Sequence, residues 1–210
     1  MCEVRERHTK EEGSRMATPE VNDELARLVP LAVDGDQRAL QQVIRLIHPL
    51  VLRYTRARIG GGRMPTAEDV AQDVCLAVAT SIDRYRDQGK PFMAFVYGIA
   101  FNKVADAHRA LSRDKLTPTE EVPEAASHSE TPEEFALVVD GSNRVRALLD
   151  VLNDKARDII ILRVFMGLSA EETAQIVGST AGAVRVAQFR ALATLRKHLE
   201  EGELHDDSAQ

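Results

Sequence analysis

From Gly167 to Leu199 the chain reads GLSAEETAQIVGSTAGAVRVAQFRALATLRKHL. The punctuation of this stretch predicts a short helix, a tight turn and a longer second helix. Ser169 stands three positions before Glu172, the spacing of a capping box that satisfies the first free amides of a helix. Ala174 and Val177, with Ile176 beside them, give that helix a short apolar face. Gly178 marks the turn, because glycine reaches left-handed backbone angles at little cost. Ser179 or Thr180 then caps the second helix. Val184, Ala187, Ala191, Leu192, Leu195 and Leu199 recur at helical spacing and are expected to face inward. No Asp or Glu occurs from Thr173 to Leu199, while Arg185, Arg190, Arg196 and Lys197 bring the local charge to plus four. A hairpin whose second helix is positive is what a helix-turn-helix sets beside DNA phosphates. The same signals also suit a solvated helix closing an all-α bundle.

That local charge matters because the 210-residue chain as a whole carries a net charge of −6. Any contact with nucleic acid must therefore come from patches rather than from the average. A second such patch lies between Asp36 and Glu68, where six arginines and no acids occur: Arg38, Arg45, Arg53, Arg56, Arg58 and Arg63. The two cysteines, Cys2 and Cys75, sit in a polar tail and in an apolar helical pattern, so neither a disulfide framework nor a zinc site is expected. The six histidines are scattered without metal-ligand spacing. No phosphate loop or nucleophile elbow is present. The reading is a protein that is not an enzyme, with no catalytic residues, no metal and no cofactor. No apolar run is long enough to insert in a membrane, and the N-terminus lacks the apolar core of a signal peptide, so the expected location is cytoplasmic.

Apolar periodicity divides the chain. Residues 1–21 form a polar tail. Residues 22–113 carry helical patterns: one ending at the Asp34-Gly35 turn, one from Ala39 to the Gly60-Gly61-Gly62 run, one opening at Thr66, and one after Pro91. Residues 114–141 hold Pro118, Pro123 and Pro132 amid six glutamates, which reads as an extended acidic linker. Residues 142–199 return to helical spacing and end in the helix-turn-helix, and residues 200–210 form an acidic tail. The fold class is all-α, with two small helical domains joined by the linker.

Three stretches, in this order, resemble the extracytoplasmic-function (ECF) sigma factors of the sigma-70 family. AEDVAQDVCLAV at 67–78 is similar to that family's helix for docking on the core polymerase clamp. FMAFVYGIAFNKVADAHR at 92–109 is similar to its promoter-melting helix, with Phe95 where a Trp is usual and Phe101 where an Arg is usual. Residues 167–199 are similar to its reader of the minus-thirty-five element. The overall pattern is most like that of the actinobacterial SigD group. The resemblance implies a region 2 domain at 22–113, a region 4 domain at 142–199, and three partners: core RNA polymerase, promoter DNA and an anti-sigma factor. It places Asp69, Gln72 and Asp73 against polymerase. Phe95, Asn102, Lys103 and Arg109 fall at the minus-ten element, although Phe95 also fits a core position. Asn102 carries both amide donors and an acceptor, so it can read the edge of an unstacked base. Ser179, Thr180, Arg185, Gln188, Arg190 and Lys197 fall at the minus-thirty-five element. Arg185 and Gln188 are expected on one exposed face, and Arg190 and Lys197 on phosphates. The alternative is a stand-alone helix-turn-helix regulator with a helical sensor domain.

Overall fold

A computed structural model of the chain describes residues 19–59, 64–114 and 147–206. The expected polar tail up to residue 18, the glycine run at 60–62, residues 115–141 of the linker and the last four residues lie outside the described residues. Every regular element among the described residues is helical.

Four helices make the first bundle: α1 (Pro19–Val33), α2 (Gln37–Arg58), α3 (Ala67–Ser81, followed by a 3-10 turn at Ile82–Arg84) and α4 (Phe92–Asp114). The helix α1 opens three residues before the apolar pattern begins at Asn22. The turn into α2 is set by Gly35, with φ of 97°, and by Asp36, whose carboxylate accepts from the amides of Arg38 and Ala39 at 2.8 and 3.1 Å. The helix α2 is the spine. Val43, Ile47, Val51 and Tyr54 are fully covered by α1, α3 and α4, and Val70, Val74 and Val78 of α3 meet Val96, Ala100 and Val104 of α4 in the same core.

The helix α3 starts in a capping box. The Asp69 amide donates to the Thr66 hydroxyl at 3.1 Å, and the Thr66 amide donates back to the Asp69 carboxylate at 3.0 Å. Hydrogen bonds from the Thr66 hydroxyl and amide hold the Asp69 carboxyl below its ordinary range. This contribution is present above the unfolded-state value and is lost as pH falls through the lowered one. Thr66→Ala is expected to cost about 1 kcal/mol, read as a lower denaturant midpoint for the full chain at neutral pH.

The second group comprises α5 (Asp154–Ile160), a π-helical turn (Ile161–Phe165), α6 (Ala170–Ile176) and α7 (Ala181–Asp206). Four consecutive residues, Ile159, Ile160, Ile161 and Leu162, are all buried, more than one face of a surface helix can supply. The reason is that this segment is covered on two sides. Ile159 packs with Ala170, Ala174 and Val184 inside the helix-turn-helix, while Ile160, Ile161 and Leu162 join the cluster that continues into the first bundle. The helix α7 runs to Asp206, into the acidic tail that begins at residue 200.

Candidate polymerase and nucleic-acid interface

The docking candidates on α3 stand where expected: Asp69, Gln72 and Asp73 are all exposed. Glu68, in the first turn of α3, is half-buried and accepts from Arg56 Nε at 2.9 Å, tying α3 to α2. Sequence reasoning missed Leu76. It lies one turn beyond Gln72 and Asp73 on the same face and is 63% exposed. Its signal was legible: Leu76 falls off the phase of Val70, Val74 and Val78.

The helix α4 brings together only part of its predicted set. Asn102 is exposed. Lys103 leans toward α3, with its ammonium 3.9 Å from Asp73, and Arg109 pairs with Asp106 on its own helix. Phe95 packs with Tyr85 and Phe92, ring centroids 5.2 and 5.7 Å away, and is half-buried in that aromatic group. Of its two readings, the core role matches this packing.

The helix-turn-helix forms as its punctuation predicts. Ser169 Oγ accepts from the Glu172 amide at 3.1 Å, and the Glu172 carboxylate accepts from the Ser169 amide at 2.6 Å. Gly178 has φ of 60°, and the Ser179 amide closes the turn on the Ala174 carbonyl at 2.8 Å. Thr180, not Ser179, supplies the cap, its hydroxyl accepting from the Ala183 amide at 3.2 Å. Val184, Ala191 and Leu195 are buried and Ala187 is half-buried, but Leu192 and Leu199 are exposed, against expectation. The inward stripe is narrower than the leucines suggest, because Leu192 and Leu199 lie to one side of the buried line of Val184, Ala191 and Leu195.

On the reader helix the six candidates separate. Ser179 is half-buried and Thr180 is spent as a cap. Arg185 is exposed and forms a 2.6 Å ion pair with Glu171 of α6. The Glu171 carboxyl sits below its ordinary range, held first by its own helix-terminal amide and then by Arg185. Both side chains are more than half exposed, so the pair aims Arg185 and gives it up at little cost. Gln188 does not share that open face: it is half-buried, and its carbonyl oxygen accepts from Arg163 Nε at 3.0 Å. Arg163 also donates to the Leu168 carbonyl, so Gln188 is drawn into the brace of the π turn. Arg190 and Lys197 are exposed. The outward face also presents two residues the motif reading passed over, Val186 and Phe189, the latter 75% exposed.

These surfaces define a two-part helical protein with an exposed polar stripe on α3, an exposed amide on a long helix and a basic helix-turn-helix. Residues 43–114 match the family described as Sigma-70 region 2, and residues 148–197 match Sigma-70, region 4. The chain is 52% identical over 179 residues to the ECF RNA polymerase sigma factor SigD of Mycobacterium tuberculosis, covering 84% of each. It is 44% identical over 183 residues to the ECF RNA polymerase sigma factor ShbA of Streptomyces griseus, covering 84% of this chain and 96% of that one. Its fold matches the structure of CnrH in complex with the cytosolic domain of CnrY with a TM-score of 0.62 at 25% identity, covering 86% of this chain and 98% of that one.

The chain belongs to the ECF sigma factors of the sigma-70 family. It is a promoter-specific initiation factor for RNA polymerase and not an enzyme, and the reading as a stand-alone regulator is not favoured. Among the described residues no helix is long and apolar enough to cross a membrane.

Proposed function

We propose that residues 22–113 dock on core polymerase and read and melt the minus-ten element, and that residues 142–199 read the minus-thirty-five element, with both halves acting in the cytoplasm. The observation that carries this reading is the stripe of Asp69, Gln72, Asp73 and Leu76 on α3, polar around an apolar centre and followed in the chain by the exposed Asn102. A sensor domain that only controls a DNA-binding output has no use for such a pair of surfaces. Asp69, Gln72 and Asp73 meet the polymerase clamp. Asn102 reads a flipped base, and Lys103 and Arg109 attract the single strand by charge. An anti-sigma factor is the partner that would withhold the protein from polymerase. The solved relative CnrH is bound to the cytosolic domain of CnrY, which supports that expectation. Run-off transcription with core polymerase tests the whole reading: promoter-specific transcripts are expected only when this protein is added, and a regulator would give none.

At the minus-thirty-five element, Arg185 is the base reader and Lys197 a phosphate contact. Val186 and Phe189 add apolar surface suited to thymine methyl groups. Arg185→Ala should cost about 1–3 kcal/mol on the cognate element and little on scrambled DNA. Lys197→Ala should weaken all sequences alike and lower the salt slope by about one. Holoenzyme binding across a promoter panel at several salt concentrations separates the two.

A further inference from the structure

The two halves of the chain meet through a buried charge pair. Arg58 ends α2 and Asp158 lies within α5; their side chains are 6% and 9% exposed, and Arg58 Nε sits 2.7 Å from Asp158 Oδ1. The N–H is not aimed along that line, so the contact is an ion pair without a well-formed hydrogen bond, and Arg58 Nη1 has no protein acceptor among the described residues. The neighbouring cation, Arg157, is committed to its own half. It donates to the carbonyls of Leu149 and Leu152 at 3.0 and 3.3 Å and pairs with Asp150 at 3.1 Å. A second point of contact joins Lys90, on the lead-in to α4, to Gln175 of α6, and Ile176 and Val177 pack on the same apolar cluster as the first bundle.

A buried, imperfectly satisfied ion pair makes a poor permanent joint, since desolvation of both ions offsets their attraction; opening returns both to water. Its geometry also conflicts with promoter reading. Elements centred near minus ten and minus thirty-five lie about 25 base pairs apart, roughly 85 Å at about 3.4 Å per pair. A seam that holds α6 against the start of α4 cannot set α4 and α7 on both. The α3 stripe, in contrast, stays exposed while the seam is closed.

We propose that the Arg58–Asp158 pair is a latch that holds the free protein closed, and that polymerase engages α3 first and then captures the second half only after the latch opens. The functional consequence rests on the assignment of α4 and α7 to the two promoter elements; the closure itself does not.

Small-angle X-ray scattering of the full chain, with no polymerase present, tests the closure. Arg58→Asp and Asp158→Arg each place like charges in the seam and should enlarge the radius of gyration, and the double exchange should bring it back toward wild type. In the binding arm, each single variant should bind core polymerase more tightly, about ten-fold if nine-tenths of the wild-type chain is closed, because the closed fraction no longer taxes the affinity. Far-UV circular dichroism checks folding. If the reversals lose helix, the nearly isosteric Asp158→Asn replaces them and must show the same expansion. Single variants that stay folded and compact overturn the latch. So does a double exchange as expanded as the singles, or a single variant that binds core more weakly. A wild-type protein inactive in run-off transcription would instead sink the functional reading and leave the scattering result standing.

Discussion

Leu76→Asp is expected to weaken assembly with core polymerase by about a hundred-fold or more and to leave the unfolding midpoint of the free chain nearly unchanged. Leu76 is 63% exposed, so its replacement removes almost nothing from the folded core. Asp69, Gln72 and Asp73 lie on the turns before it and the exposed Thr80 on the turn after it, the arrangement of an apolar interface centre within a polar rim. Once polymerase covers that face, an aspartate there must be desolvated without a partner, which costs several-fold more than loss of the methyl groups alone. Leu76→Ala separates the two terms and should show a much smaller defect. Binding by fluorescence anisotropy of the labelled full chain, with a parallel denaturant titration, provides the measurement. Equal core affinity for wild type and Leu76→Asp would move the polymerase contact off this face of α3.

Asn102→Ala should leave core binding and recruitment to duplex promoter intact, slow open-complex formation and relax the preference at one minus-ten base. Loss of one bidentate contact is worth about 1–3 kcal/mol, or roughly ten- to a hundred-fold in the opening step. Asn102 is exposed on α4, while Val104 and Ala107 on the neighbouring turn are buried, so the substitution tests contact and not packing. Permanganate footprinting of unpaired thymines reports the melted state directly. Normal footprints with unchanged base preference would return Asn102 to a solvated helix position.

Local signals carried far in this chain because its helices are marked by chemistry that acts over three or four residues. The Ser169–Glu172 box, the left-handed Gly178 and the Asp34-Gly35 turn each place a boundary without help from distant contacts. Phase sorted Val70, Val74 and Val78 inward and left Asp69, Gln72 and Asp73 outside. It failed where burial is decided by a neighbour that spacing cannot reveal. Leu192 and Leu199 lie at the edge of the apolar register and face solvent, since the described residues cover α7 only along the line of Val184, Ala191 and Leu195. Ile161 is fully buried because α5 and its π turn are covered from two sides.

The sequence by itself determined the helical class and the helix-turn-helix, properties written in nearest-neighbour backbone preference and periodicity, while the order of the three functional stretches and their candidate contact residues followed from resemblance to the family. Only the tertiary structure decided which polar side chains are free to meet a partner. Arg185 is held by Glu171, and Gln188 is spent on Arg163. Arg58, alone among the described arginines of an acid-free stretch, finds a buried carboxylate, Asp158, in the other half of the chain. Pairing of charges distant in sequence depends on where two helices dock and on how much water that docking expels, and neither quantity is local.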